Sequence, residues 1–230
     1  MRCKFIAWAA VALIGAAPFA GAQADVLYDN LGQPNAGVAG SDLLATAADG
    51  GGGPVAVSFS TGSQGVVLSA VSLLLEGTYD TAGSISAELF SDNPTGSSSS
   101  APAPGSELAS IGTIADSSLP SSFGTVTIDP ATEIILAANT RYWVELLSSG
   151  STPTTAIWAT SATALGVGVV GEYDWNNYAG NLNSTALNQD PSVGYAPDMM
   201  AVMAVPEPTS LSLLALGLIG LVSARRRRYV

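Results

Sequence analysis

The residues best equipped for chemistry stand together at Glu172-Tyr173-Asp174-Trp175-Asn176-Asn177-Tyr178. Glu172 and Asp174 are two apart and so share one face of a strand, which makes them the one close acidic pair in an aromatic setting, the kind a glycosidase uses. Carboxylates placed this way are ordinarily solvated, and no catalytic residue is assigned to the chain. The rings suggest binding instead. Tyr173, Trp175 and Tyr178 can stack on sugar faces while Asp174 and Asn176 meet hydroxyls, which defines a candidate glycan-binding loop. The same oxygens fit calcium as a weaker option, and no other cofactor or metal is expected. An aromatic hairpin that packs its rings at the end of a β-domain is the plainer account of these residues, whose number and spacing of rings are not specific to sugar binding.

Absences narrow the chemistry further. Histidine does not occur in the 230 residues, which removes the commonest general base and zinc ligand. The single cysteine, Cys3, lies in an N-terminal segment expected to be removed, so the mature chain has no thiol for a disulfide, a metal or a nucleophile. The chain is therefore not expected to be an enzyme. Arg141 remains as either the partner of an acidic residue or the anchor for an anionic ligand.

Charge is divided unevenly. Arg2 and Lys4 stand at the N-terminus and Arg225, Arg226, Arg227 and Arg228 at the C-terminus, leaving Arg141 as the one cation between them. Against it stand all of the 18 acidic residues except Glu207. Such a field repels nucleic acid and anionic membranes and suits an extracellular acidic protein, so no nucleic-acid partner is expected.

The elements that must position these residues read as strands. Between Asp25 and about Ala204 the pattern is broken every eight to twelve residues or so by Gly, Ser, Asn, Asp or Pro. Val55, Val57 and Phe59 alternate onto one face, as do Ile85, Ala87 and Leu89. Tyr142, Val144 and Leu146 oppose Arg141, Trp143 and Glu145. Val66 to Leu75 is apolar enough for a central strand covered on both faces. Further candidates are Val26–Tyr28, Leu108–Ile114, Phe123–Ile128, Ile134–Leu136, Ala156–Ser161, Leu165–Glu172 and Met199–Val205. The low-complexity stretches Ala47–Pro54 and Asn93–Ser106 predict loops. The expectation is one all-β domain over residues 25–204, a two-sheet sandwich of jelly-roll type, because a single open sheet that large would expose a face and two edges.

Both ends carry addresses. A positive start, the apolar run Phe5–Ile14 and the small residues Ala22 and Ala24 predict a signal peptide over residues 1–24, cut by signal peptidase. Asn183-Ser184-Thr185 fits an N-glycosylation pattern of little weight in such a chain. At the other end, Pro206-Glu207-Pro208 precedes an apolar run and the four arginines. From Thr209 to Ala224 a helix is about 24 Å long against a ~30 Å hydrocarbon core. Insertion is marginal, and the arginines orient the C-terminus to the cytoplasm and the domain outward. The prolines hold the segment before the helix extended, as a processing enzyme requires.

Residues 205–230, with Val205-Pro206-Glu207-Pro208, a short Leu/Gly-rich helix over 209–224 and the Arg225–Arg228 cluster, resemble the PEP-CTERM sorting signal. The resemblance implies that an exosortase, a membrane cysteine transpeptidase of Gram-negative bacteria that make extracellular polysaccharide, reads Pro206, Glu207 and Pro208 as substrate. The membrane span is then transient or retained as a single-pass anchor. Val26–Leu31, Val57–Thr61 and Thr140–Val144 are similar to a choice-of-anchor domain, of type R, for which no activity is assigned. Together the likenesses imply a non-enzymatic cell-envelope, surface or matrix protein associated with exopolysaccharide or biofilm. The alternative is a carbohydrate-binding module for extracellular polysaccharide.

Overall fold

The computed structural model describes residues 24–37, 42–43, 54–78, 83–95, 102–149, 155–176, 186–188 and 197–207. The apolar alternation drives these residues into strands: β1 (Asp25–Asp29), β2 (Asp42–Leu43), β3 (Val55–Ser60), β4 (Val66–Thr78), β5 (Ser84–Asn93), β6 (Ala103–Ala115), β7 (Gly124–Ile128), β8 (Ile135–Leu136), β9 (Arg141–Ser149), β10 (Thr155–Trp158), β11 (Tyr173–Asn176), β12 (Ala186–Asn188) and β13 (Met200–Pro206). Among the described residues the helical structure is one 3-10 turn, Asp116–Ser118, and no helix is long and apolar enough to cross a membrane.

The strands make two antiparallel sheets. One runs β1-β13-β4-β10-β2, with β7 and β8 also paired to β4, and the other runs β12-β11-β3-β9-β5-β6. Their facing sides close on one core. Val57, Phe59, Ile85, Leu89, Val144 and Leu146 come from the second sheet, and Leu68, Val71, Leu73, Leu75 and Val202 from the first. Each large side chain buried this way contributes roughly 1.5–3 kcal/mol, which is what selects the register. The alternations along β3, β5 and β9 point inward as their patterns predict.

Four expectations are corrected. β4 is central in its sheet, but Val67, Ser69, Ser72 and Leu74 on its other side are only half-buried, so one face is in the core and the other is not. Leu165–Glu172 is not a strand: Gly166, Gly168 and Gly171 all have positive φ, and the segment meets β1 through a single bridge between Asp29 and Val167. At Gly168 the need is also steric, since a Cβ there would lie 2.1 Å from the Leu27 carbonyl oxygen. The loop expected over Asn93–Ser106 is narrower, because Asn93 and Ala103 already pair as the ends of β5 and β6. Lastly, Tyr173–Asn176 is a strand between β3 and β12 where a loop was expected. Residues 1–23, with Ala22, and residues 208–230, with Pro208, the 209–224 helix and Arg225–Arg228, lie outside the described residues, as does Tyr178.

Candidate functional site

Strand parity builds an aromatic and acidic surface on the outer side of the six-stranded sheet. In an antiparallel pair, residues directly opposite share a face. Trp143 on β9 lies opposite Ser58 on β3 and Phe90 on β5, and Glu145 lies opposite Ala56 and Glu88. On β11, Trp175 stands opposite Ala56 and so faces out, whereas Asp174 stands opposite Val57 and faces in. Ala56, Ala103, Trp143 and Trp175 form a buried cluster against which Phe90 and Tyr173 pack. The small side chains of Ala56 and Ala103 leave room for the indoles. Trp143 is 0% exposed, and its Nε1 donates to Asp92 Oδ1 at 2.9 Å.

One end of this surface is saturated. Arg141 donates from Nε to Glu172 Oε2 at 3.0 Å and from Nη2 to the Gly171 carbonyl at 2.9 Å, and its Nη1 stands 3.9 Å from Asp92 Oδ2. The guanidinium also lies over the Tyr173 ring, 4.8 Å from its centroid. Glu172 is 5% exposed and accepts a second bond from Ser58 Oγ at 2.6 Å, while Ser58 Oγ accepts from the Tyr173 amide at 2.7 Å. Arg141 is thus the partner of acidic residues.

The other end holds a pocket of about 240 Å³, lined among others by Phe90, Trp175, Asn93, Pro104 and Glu145. Glu145 receives no hydrogen bond or ion pair from the described residues. Burial, then the neighbouring charges of Glu107 and Glu88, raise its pKa to about 7. Glu88 is also raised, first by burial and then by Glu107, against the lowering effect of its bond from Ser110 Oγ at 3.4 Å. The pocket combines stacking surface with a carboxylate poised near neutrality.

Asp174 belongs to a different place. Facing inward and 4% exposed, it adds to a polar patch inside the sandwich near Tyr28, whose buried hydroxyl has no hydrogen-bond partner among the described residues. Burial, then Asp174, Asp198, Glu172 and Asp29, hold the Tyr28 pKa well above the usual phenol range. Asn30 closes the patch, donating to the Asp198 carbonyl at 3.1 Å and accepting from the Met200 amide at 2.8 Å. No three His, Cys, Asp or Glu among the described residues converge as a metal site.

Of the proposed glycan-binding set, then, Tyr173 and Trp175 belong to the outer side of the sheet, Tyr173 half-buried and Trp175 7% exposed within the aromatic cluster, Asp174 turns into the interior, Asn176 pairs with Val55 through its backbone, and Tyr178 is not described. Phe90, Glu88 and Glu145, which line or border the pocket, were not picked out as a site by the sequence. Their shared face is visible in the alternation along β5 and β9, but the register that sets Glu88 opposite Glu145 is not.

The processing end is built on the last strand. β13 continues to Pro206, which pairs with Val66, and Ala204 is fully buried, so the fold runs into the proline motif with no linker between them. Glu207 is exposed beyond the strand end, with its side chain above Gly65. β1 starts at Asp25 opposite Ala204, which brings Ala24 and Pro206 to the same edge. Residues 204–228 match the PEP-CTERM protein-sorting motif. The motif implies export, membrane-associated sorting in the cell envelope and an exosortase as processing partner. Neither a curated protein nor a solved structure matches the chain.

Proposed function

We propose that the chain is a non-enzymatic surface or matrix protein of a Gram-negative bacterium, exported through a signal peptide cut after Ala24 and processed by an exosortase at Pro206-Glu207-Pro208. In this reading the helix over 209–224 spans the inner membrane transiently, Arg225–Arg228 hold its cytoplasmic end, and the domain is a jelly-roll-like, choice-of-anchor type of module displayed among extracellular polysaccharide. The observation that carries it is the sorting motif at 204–228, set directly on the end of β13. The fate of the acidic pair supports the non-enzymatic part: Glu172 is 5% exposed and ion-paired with Arg141, and Asp174 turns into the interior, so the two do not face a substrate together as an acid and a second carboxylate would.

Intact-mass measurement on exported protein from a wild-type producer tests this. The expected species starts at Asp25 and lacks Arg225–Arg228, whereas E207A retains them with an unchanged fold because Glu207 lies outside the sheet. Wild-type protein that keeps the arginines would overturn the processing claim.

A second reading, a carbohydrate-binding module, is favoured by one observation: the pocket that Phe90, Trp175 and Glu145 line on an outer sheet face. Aromatic side chains with a few polar groups are the usual equipment of a sugar site.

A further inference from the structure

The pocket beside Glu145 carries a more specific chemistry than sugar binding in general. At about 240 Å³ it is smaller than the roughly 300–1,000 Å³ of drug-sized sites and suits a single sugar ring. Phe90 and Trp175 supply faces for the apolar side of that ring, and Asn93 an amide for a hydroxyl. The decisive feature is charge. Glu145 lines the pocket, Glu88 stands opposite it on β5, and Glu107 of β6 lies opposite Phe90. The cation of this face, Arg141, is taken up at the far end by Glu172, Asp92, the Gly171 carbonyl and the Tyr173 ring.

An anionic sugar would meet three carboxylates, and a neutral one would leave a half-buried carboxylate uncompensated. A positively charged ring substituent answers both conditions through a charge-assisted hydrogen bond. We propose that this pocket binds a hexosamine unit with a free, protonated amino group, its ring against Phe90 and Trp175 and its ammonium on Glu145. The proposal rests on the carbohydrate-binding reading of the same face and names the class of sugar it takes.

Calorimetry on the exported protein, with oligomers of glucosamine, of N-acetylglucosamine and of glucose, tests it. The free-amine oligomer is expected to bind about tenfold tighter than the other two, as one charge-assisted bond warrants. E145Q, which keeps the shape of the side chain, is expected to bring the three affinities together, while F90A weakens all three. Equal binding of the three oligomers by the wild type would overturn the choice of an amino sugar and leave sugar binding intact. No binding of any would overturn both.

An N-trimethylated glucosamine oligomer, whose charge is fixed and which has no N–H to donate, provides a second arm that reads the charge attraction alone. The titratable groups that act on Glu145 across this surface are Glu88 and Glu107, whereas Arg141, with Asp92, Glu172 and Tyr173 about it, stands at the far end beyond Trp143. Affinity is expected to rise severalfold, up to about tenfold, from pH 6 to pH 8 as Glu145 ionises through about 7. A flat profile that matches E145Q would count against Glu145 as the ammonium partner.

Discussion

Arg141 and Glu145 occupy one strand and one face, on either side of Trp143, and their circumstances are opposite. Arg141 finds two carboxylates, a carbonyl and an aromatic ring, all within the sheet and the turn before β11. Glu145 finds two further carboxylates and, among the described residues, no cation. A network in which every charge is answered holds the structure in one arrangement and offers nothing to a ligand. A carboxylate left unanswered beside two aromatic rings weakens the fold when it ionises and is what an incoming cation would repair. The difference separates a structural ion pair from a candidate binding group within a few residues of chain.

The sharpest way to break this comparison is R141M. Removing the guanidinium leaves Glu172 buried with the Ser58 hydroxyl as its side-chain donor among the described residues, and the expected cost is about 3 kcal/mol in urea unfolding, the low end for a buried pair because the Arg141 side chain is 25% exposed. R141M/E172Q should recover most of that loss, since the double variant no longer buries an unpaired charge. An R141M protein as stable as wild type would mean that the pair contributes nothing and that both ends of the face are alike. S58A is expected to act in the same direction and less strongly, by about 1 kcal/mol, because Ser58 Oγ links Glu172 to the Tyr173 amide by two short bonds. Its midpoint in the same titration should fall between those of wild type and R141M.

Much of this architecture was legible in the sequence because it follows from period-two alternation. Val57 and Phe59, Ile85 and Leu89, and Val144 and Leu146 are buried where their patterns put them. The partition of Arg141, Trp143 and Glu145 to the opposite side follows from the same rule. What alternation could not supply was the pairing of strands distant in sequence. Glu172 lies far along the chain from Arg141, and nothing local states that β11 sits beside β3. The same limit hid the pocket, whose lining comes from β5, β6, β9 and β11. In Leu165–Glu172 the apolar content suggested a strand, and backbone freedom at Gly166, Gly168 and Gly171 prevailed. In Glu172–Tyr178 the mixed aromatic and acidic composition suggested a loop, and the strand that formed sends Asp174 and Trp175 to opposite sides. The sorting motif was legible in full because it is read as linear sequence, without a fold to assemble it.

The finest test concerns pH, and it reads the Glu145 end of the face by itself. Folding raises the Glu145 pKa from an ordinary 4.5 to about 7, so the folded chain holds this proton more tightly than the unfolded chain does. The associated stability is fully present below about pH 4.5, declines as pH rises, and is lost once pH passes about 7. E145Q, permanently neutral, keeps that stability at every pH. It should therefore unfold at the same urea concentration as wild type near pH 4 and at a higher one at pH 8, with a shallower fall between them. Some slope remains in the variant, because burial raises Glu88 in the same sense. Neutralising a charge thus destabilises the protein at Arg141 and stabilises it at Glu145. Parallel pH profiles for E145Q and wild type would show instead that water or a partner already satisfies Glu145, and the contrast along β9 would disappear.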